Sequence, residues 1–140
     1  MEQALERWFP DYCRAHELKG QIEVKIRGPL SEAMEHQLFL IIQEGMANIV
    51  KHASAHQITL SLVEREHQYT LQLQDNGQGF ERNAIPTTSH GLSTMRERAQ
   101  KLGGNVEVFS KVGSGTRVSV RIPKFASPTE EMKEEGREDE

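Results

Sequence analysis

Apolar positions recur along this chain in two periods, one of three to four residues and one of two, and the switches between them outline its elements. Leu5, Trp8, Phe9, Tyr12 and Cys13 fall at helical spacing and predict a helix to about residue 19, with Pro10 as a kink or late start and Gly20 as the stop. Ile22, Val24 and Ile26 then alternate as a strand over 21–27, broken by Gly28-Pro29. Ser31 is placed to cap a long helix toward His52, whose apolar stripe of Met34, Leu38, Ile41, Ile42, Gly45 and Ile49 follows 100° per residue. Residues 57–65 and 68–74 alternate again, and the short turn Glu66-His67 joins them as a hairpin.

After Phe80 both periods lapse. Residues 81–89 are polar and irregular, with Pro86 and the hydroxyl run Thr87-Thr88-Ser89, and read as a mobile lid. Leu92, Met95, Ala99 and Leu102 restore helical spacing over 91–102, and Gly103-Gly104 signals its end. Strands at 105–110 and 116–122 follow, joined by Lys111-Val112-Gly113-Ser114-Gly115. The fold class expected is α/β in the α+β sense, a two-layer sandwich of a mixed sheet with helices packed on one face. No internal repeat is present.

Composition narrows the picture without changing it. A chain of 140 residues is long enough for one domain with a real core. Its longest apolar runs fall far short of the ~20 residues that span a bilayer, and no basic-then-apolar leader opens it. The expectation is a cytoplasmic domain that makes no membrane contact. The single cysteine, Cys13, cannot form an internal disulfide, and no partner at metal spacing suggests zinc, so helix packing is its expected role. The net charge of −4 is uneven: residues 126–140 carry seven acidic and two basic side chains, a net −5, which leaves +1 for the body. That end is expected to be a disordered acidic tail from residue 125. Without a basic stripe interleaved with aromatics, nucleic acid is not an expected partner.

Candidate chemistry sits in a few short stretches. Glu44, Asn48, Lys51 and His52 share one edge of the long helix beside the apolar stripe. Alone, such a cluster is an ordinary solvated face; in company, a carboxylate, an amide oxygen and cations suit Mg²⁺ and phosphate. Asp75-Asn76-Gly77-Gln78-Gly79-Phe80 sets a carboxylate and two glycines directly after a strand, which by itself is also a common turn. Gly113-Ser114-Gly115 between two strands likewise suits a hairpin loop. Ser89-His90-Gly91-Leu92 opens a helix, where free N–H groups and the dipole favour anions. Neither a P-loop nor a Gly-x-Gly-x-x-Gly between strand and helix is present.

In order and spacing these pieces resemble the ATP-binding domain of sensor histidine kinases, in the GHKL superfamily with gyrase, Hsp90 and MutL. The resemblance covers nearly all of 21–123. Residues 43–53 look like the family's N box, 75–80 its first glycine box and 113–116 its last; 90–98, His-Gly-Leu-Ser-Thr-Met-Arg-Glu-Arg, is similar to a run in the nitrate-sensor and DesK-like subfamily. The fold it implies is a Bergerat-type sheet with a short ATP lid, and the cofactors are ATP and Mg²⁺. Asp75 would accept from the adenine amino group, with Thr116 helping through a water and Gly115 in the adjoining loop. Asn48 would be the metal ligand and Glu44 a base or water organiser. Lys51 and His52 would lie near the phosphates, Gly77 and Gly79 would let the backbone approach the base, and His90, Gly91 and Leu92 would offer N–H groups to the phosphates. Phosphoryl transfer depends mostly on positioning and charge neutralisation, so such equipment suffices.

The lid departs from the family pattern, with Ser89 in place of the first glycine of Gly-x-Gly-Leu. The histidine-bearing hairpin of such kinases is not in this sequence. Ala15-His16-Glu17-Leu18-Lys19-Gly20 resembles a phosphoacceptor box, but no Pro follows, and a Gly stop and a strand come next. His36, His56 and His67 have no partner that suggests chemistry. The implied arrangement is therefore 1–20 as the end of a linker, 21–124 as the kinase's ATP-binding domain and 125–140 as the tail. The implied partners are a histidine-containing dimerisation domain and a response regulator. Two alternatives stand beside it: a stand-alone anti-sigma-factor serine kinase, and a nucleotide-binding adaptor that transfers nothing.

Overall fold

The structure, a computed structural model, describes residues 1–52, 55–78 and 90–124, and among these not the side chains of His52, His90 and Leu92. The lid expected at 81–89 and the tail expected from 125 lie outside the described residues. The elements run α1 (Glu2–Ala15), β1 (Lys19–Lys25), α2 (Glu32–His52), β2 (Gln57–Glu64), β3 (Gln68–Asp75), α3 (His90–Lys101), β4 (Asn105–Ser110) and β5 (Thr116–Pro123). The strands form one sheet in the order β1-β2-β3-β5-β4. β1 and β2 are parallel, since α2 carries the chain across between them, and the other neighbours pair antiparallel.

Period-two alternation decides which face is covered. Ile58, Leu60 and Leu62 of β2, Leu71 and Leu73 of β3, and Val118, Val120 and Ile122 of β5 are buried in one cluster with the helices. Their neighbours Thr59, Gln74, Arg117 and Arg121 are exposed. The mixed sheet with helices on one face is thus as expected. α2 contributes Leu38, Ile41, Ile42, Met46 and Ile49 to the core. Its start is capped by Ser31, whose Oγ accepts the Met34 N–H at 3.1 Å, a bond worth about 1 kcal/mol. α3 ends in paired bonds, Gly103 N–H to the Gln100 carbonyl (2.9 Å) and Gly104 N–H to that of Ala99 (2.8 Å).

The first helix departs from expectation. α1 runs unbroken through Pro10 and stops at Ala15, short of residue 19. Glu17, at φ 58°, makes the reversal, and the Leu18 N–H donates to the Cys13 carbonyl at 2.8 Å. Gly20 is therefore no stop but the second residue of β1, which spans Lys19–Lys25 rather than 21–27. It is small for a packing reason: a Cβ there would lie 2.5 Å from Cys13 Sγ and 2.7 Å from Phe9 Cε2. α1 closes onto the strand at that point, burying Leu5, Phe9 and Cys13 in the common core. Burial pushes the Cys13 thiol up, as befits a packing cysteine.

One end of the sheet is fastened by bonds unrelated to the sequence motifs. Glu64 accepts from Lys124 Nζ at 2.6 Å and from the Arg27 N–H at 2.7 Å, and the Lys124 N–H donates to the His67 carbonyl at 3.0 Å. These join the end of β5, the β2–β3 turn and the segment after β1.

Candidate functional site

The motifs converge at the opposite end. Asp75, the last residue of β3, pairs with Ile58 near the start of β2 and with Thr116 at the start of β5. The segment arriving from α2 enters the sheet at that same end, where the Lys19 N–H donates to the His56 carbonyl at 2.8 Å. α3 runs antiparallel to α2, because Arg98 Nη1 donates to Gln37 Oε1 at 3.4 Å while a Cβ on Gly45 would lie 3.6 Å from Met95 Cε. Continued, that alignment brings the start of α3, with the backbone of His90, Gly91 and Leu92, toward the turn of α2 that carries Asn48 and Lys51.

α2 sits down closely on the sheet beside this turn. A Cβ on Gly45 would collide with Leu73 Cδ1, so the absence of a side chain lets α2 approach the sheet two positions before Asp75 without displacing Leu73. Glu44 and Asn48, either side of Gly45, are partly exposed and Lys51 is exposed. Among the described residues, no hydrogen bond or ion pair engages the side chains of Glu44 and Asn48. They are oxygen donors left available on the helix edge.

Asp75 is different. It is 4% exposed, and its Oδ1 accepts the Gly77 N–H at 2.7 Å. Burial holds its carboxyl above the usual carboxylate value, and the N–H groups of Gly77 and Thr116 pull it partly back. Among the described residues no cation pairs with it. A carboxylate desolvated without a counter-charge destabilises the fold, and perturbed groups of this kind cluster at functional sites.

Three connections are laced together around it. Asn76 Oδ1 accepts two backbone N–H groups, from His56 and Gln57, both at 2.9 Å, while the Asn76 N–H donates to the Gln57 carbonyl at 3.2 Å. The Gly113 N–H donates to the Gln78 carbonyl at 2.7 Å. Gly115, at φ 84°, lies so close that a Cβ would be 2.1 Å from the Asp75 carbonyl oxygen. The Thr116 and Ser110 hydroxyls share a bond of 2.9 Å. Asp75, Gly77, Gly115 and Thr116 are therefore one assembly, with Glu44, Asn48 and Lys51 on the helix above the same end. Gly79 and the side chain of His52 lie outside the described residues. Sequence reasoning gives Asn76 of the glycine run no role; its signal is an Asn directly after a strand, a residue that readily bonds backbone.

No group of three or more His, Cys, Asp or Glu side chains gathers as a metal cage among the described residues. No described helix is long and apolar enough to cross a membrane.

Comparison with known proteins agrees with this geometry. The family model described as "Histidine kinase-, DNA gyrase B-, and HSP90-like ATPase" matches residues 33–126. The chain is 38% identical over 96 residues to the sensor histidine kinase LiaS of Bacillus subtilis, covering 69% of this chain and 27% of that one. It is 33% identical over 112 residues to the sensor protein VraS of Staphylococcus saprophyticus, covering 76% and 32%. It thus spans about a quarter to a third of the length of these curated relatives. In fold it resembles the histidine kinase domain of the blue-light activated kinase of Erythrobacter litoralis EL346, with a TM-score of 0.74 at 19% identity, covering 85% of this chain and 62% of that one. The histidine kinase AdeS of Acinetobacter baumannii gives 0.71 at 16% identity, covering 89% and 63%.

Proposed function

Since the chain belongs to the family of histidine kinase-, DNA gyrase B- and HSP90-like ATPases, we propose that it is the ATP-binding catalytic domain of a two-component sensor histidine kinase. In this reading it binds ATP with Mg²⁺ and delivers the γ-phosphoryl group to a histidine on a dimerisation domain, for relay to a response regulator. The observation that carries it is the buried, uncompensated Asp75 held by Gly77 between two glycine loops. A carboxylate so placed recognises a donor on a flat polar ring, and the adenine amino group is that donor. One relative is a sensor histidine kinase by name and the other a sensor protein, which favours this reading over the serine-kinase and adaptor alternatives.

The donors present fit the metal as well. Mg²⁺ commonly takes one or two protein oxygens and completes its shell with phosphates and waters, so an available Asn48 amide beside Glu44 meets its needs without a cage. When bound, the ion supplies neutralisation of phosphate charge. Asn48 would hold it, Glu44 would orient or deprotonate the accepting imidazole, and Lys51 and His52 would draw the phosphates toward α2. The N–H groups at the start of α3, residues 90–92, would face the same anions. Thr116 would support Asp75 at the base.

Calorimetry with ADP and a non-hydrolysable ATP analogue, with and without Mg²⁺, tests the proposal. The analogue should bind in a Mg²⁺-dependent manner, and Asn48→Ala should weaken that binding about tenfold or more, the expected cost of one metal-ligand or charge-assisted contact. Labelled phosphate should pass from ATP to a supplied histidine-bearing dimerisation domain. Binding without that transfer would sink the kinase assignment and leave an adaptor; no binding of either nucleotide would sink the whole reading.

A further inference from the structure

Asn76 carries the β2–β3 pairing, which ends at Ile58 and Asp75, one step further and ties the turn after Asp75 to His56 and Gln57, where β2 begins. Its Oδ1 is the shared acceptor for two successive N–H groups, those of His56 and Gln57, at 2.9 Å each, and its own N–H returns to the Gln57 carbonyl at 3.2 Å. Residues 56 and 57 arrive from α2, the helix bearing Glu44, Asn48 and Lys51; Asn76 follows Asp75 directly and precedes Gly77, which holds the Asp75 carboxylate. One side chain thus fixes the turn after Asp75 against the start of β2, at the end of the sheet that the segment from α2 enters. A neutral amide oxygen suits this place, because two parallel N–H dipoles call for an acceptor that adds no second negative charge beside a desolvated carboxylate.

We propose that Asn76 is a positioning residue that holds the base-recognising carboxylate in register with the phosphate-binding helix, and so sets how sharply the site distinguishes an adenine from a purine lacking the same donor. The inference rests on the nucleotide reading of Asp75. Its consequence is specific. Losing the clamp frees the turn at 76–78, so Asp75 Oδ1 no longer meets a fixed Gly77 N–H and the carboxylate samples several orientations. A base that donates to Asp75 then loses its advantage over one that does not, whereas phosphate contacts on α2 and α3 are affected less.

The test compares ADP with inosine diphosphate, whose base carries a carbonyl where adenine has its amino group, on the full chain. For the native protein ADP should be strongly preferred. Asn76→Ala should reduce the ratio of the two affinities about tenfold, the discrimination that one hydrogen bond to a charged group carries. Asn76→Ser keeps a neutral oxygen acceptor for the two N–H groups and should restore the ratio to within about threefold of native. Amide exchange at His56 and Gln57 should quicken in Asn76→Ala and much less in Asn76→Ser. A purely structural role would lower both affinities together, leave the ratio unchanged and so overturn the inference. Should Asn76→Ala fail to fold, Asn76→Ser still decides: a collapsed ratio despite protected amides would refute the positioning role. Failure of native protein to bind ADP at all would instead overturn the nucleotide reading beneath it.

Discussion

Gly113 and Gly115 offer a controlled experiment built into one loop. Both sit at φ 84°, so alanine at either position incurs the same left-handed strain, about 1–2 kcal/mol. They differ in what a Cβ would meet. At Gly113 there is nothing within 4 Å, whereas at Gly115 the Asp75 carbonyl oxygen lies 2.1 Å away and Asn76 Cα 3.2 Å away. Real Cβ atoms essentially never approach within 3.0 Å, so Gly115→Ala must part the two glycine loops by roughly 0.9 Å. Backbone cannot rotate aside as a side-chain tip can, and overpacking of this kind costs about 1–3 kcal/mol. Gly115→Ala should therefore be destabilised by about 2–5 kcal/mol and Gly113→Ala by about 1–2. In a domain of this size each kcal/mol moves the melting temperature by roughly 2–4 °C, so Gly115→Ala should melt at least about 2 °C below Gly113→Ala. The same displacement moves Asp75, so ADP affinity should fall about tenfold or more in Gly115→Ala, misplacement on the ångström scale being costly in a built site. Gly113→Ala should retain most of it. Paired urea titrations and calorimetry on the two variants read both numbers. Equal stabilities with equal ADP affinities would refute the claim that the loops touch at Gly115.

Asp75→Asn should abolish most nucleotide affinity yet leave the empty protein as stable as native or more so at neutral pH. The folded carboxyl is raised above its ordinary 3.8 by burial, so its favourable contribution exists below that value and is lost as pH rises through the folded one. The variant's advantage should accordingly be greatest near pH 7 and shrink toward pH 4; a variant melting below native at every pH would contradict the burial argument. Glu64 behaves in the opposite sense. Its carboxyl is held below 4.5 by the Lys124 side-chain bond first and the Arg27 N–H second, so its contribution is present above that value and disappears as pH falls through the lowered one. Glu64→Gln should melt below native at pH 7, with the gap closing in acid; a gap constant from pH 7 to pH 3 would show that the ion pair is not its source.

Local periodicity revealed the elements that bury one stripe or one face. Ile58, Leu60 and Leu62 alternate and are buried, Leu38, Ile41 and Ile42 recur at helical spacing and are buried, and Ser31 and Gly103 carry the end signals expected of them. What the sequence hid depends on contact between distant segments. Gly20 looked like a helix stop because glycine serves there and also where a strand must meet Cys13 and Phe9. Nothing local distinguishes the two. Pro10 lies on the exposed face of α1, where water can meet the carbonyl that loses its N–H partner. At the site, Asp75 and the glycines were legible as a motif, but the lacing by Asn76 crosses about twenty residues and leaves no periodic trace. The depth of Asp75 was also hidden, since the burial of a residue ending a strand depends on what the 113–116 turn lays over it.

The sheet has a chemical end and a mechanical end. Asp75 closes one terminus of the eight-residue β3 and Gln68 the other, a separation of about 23 Å along an extended strand. The Glu66-His67 turn beyond Gln68 is exposed, and the bonds of Glu64, Lys124 and His67 brace it from behind. A dye, a spin label or a surface tether placed on that turn would report on or immobilise the molecule from a braced handle, leaving the terminus at Asp75 free to meet a partner.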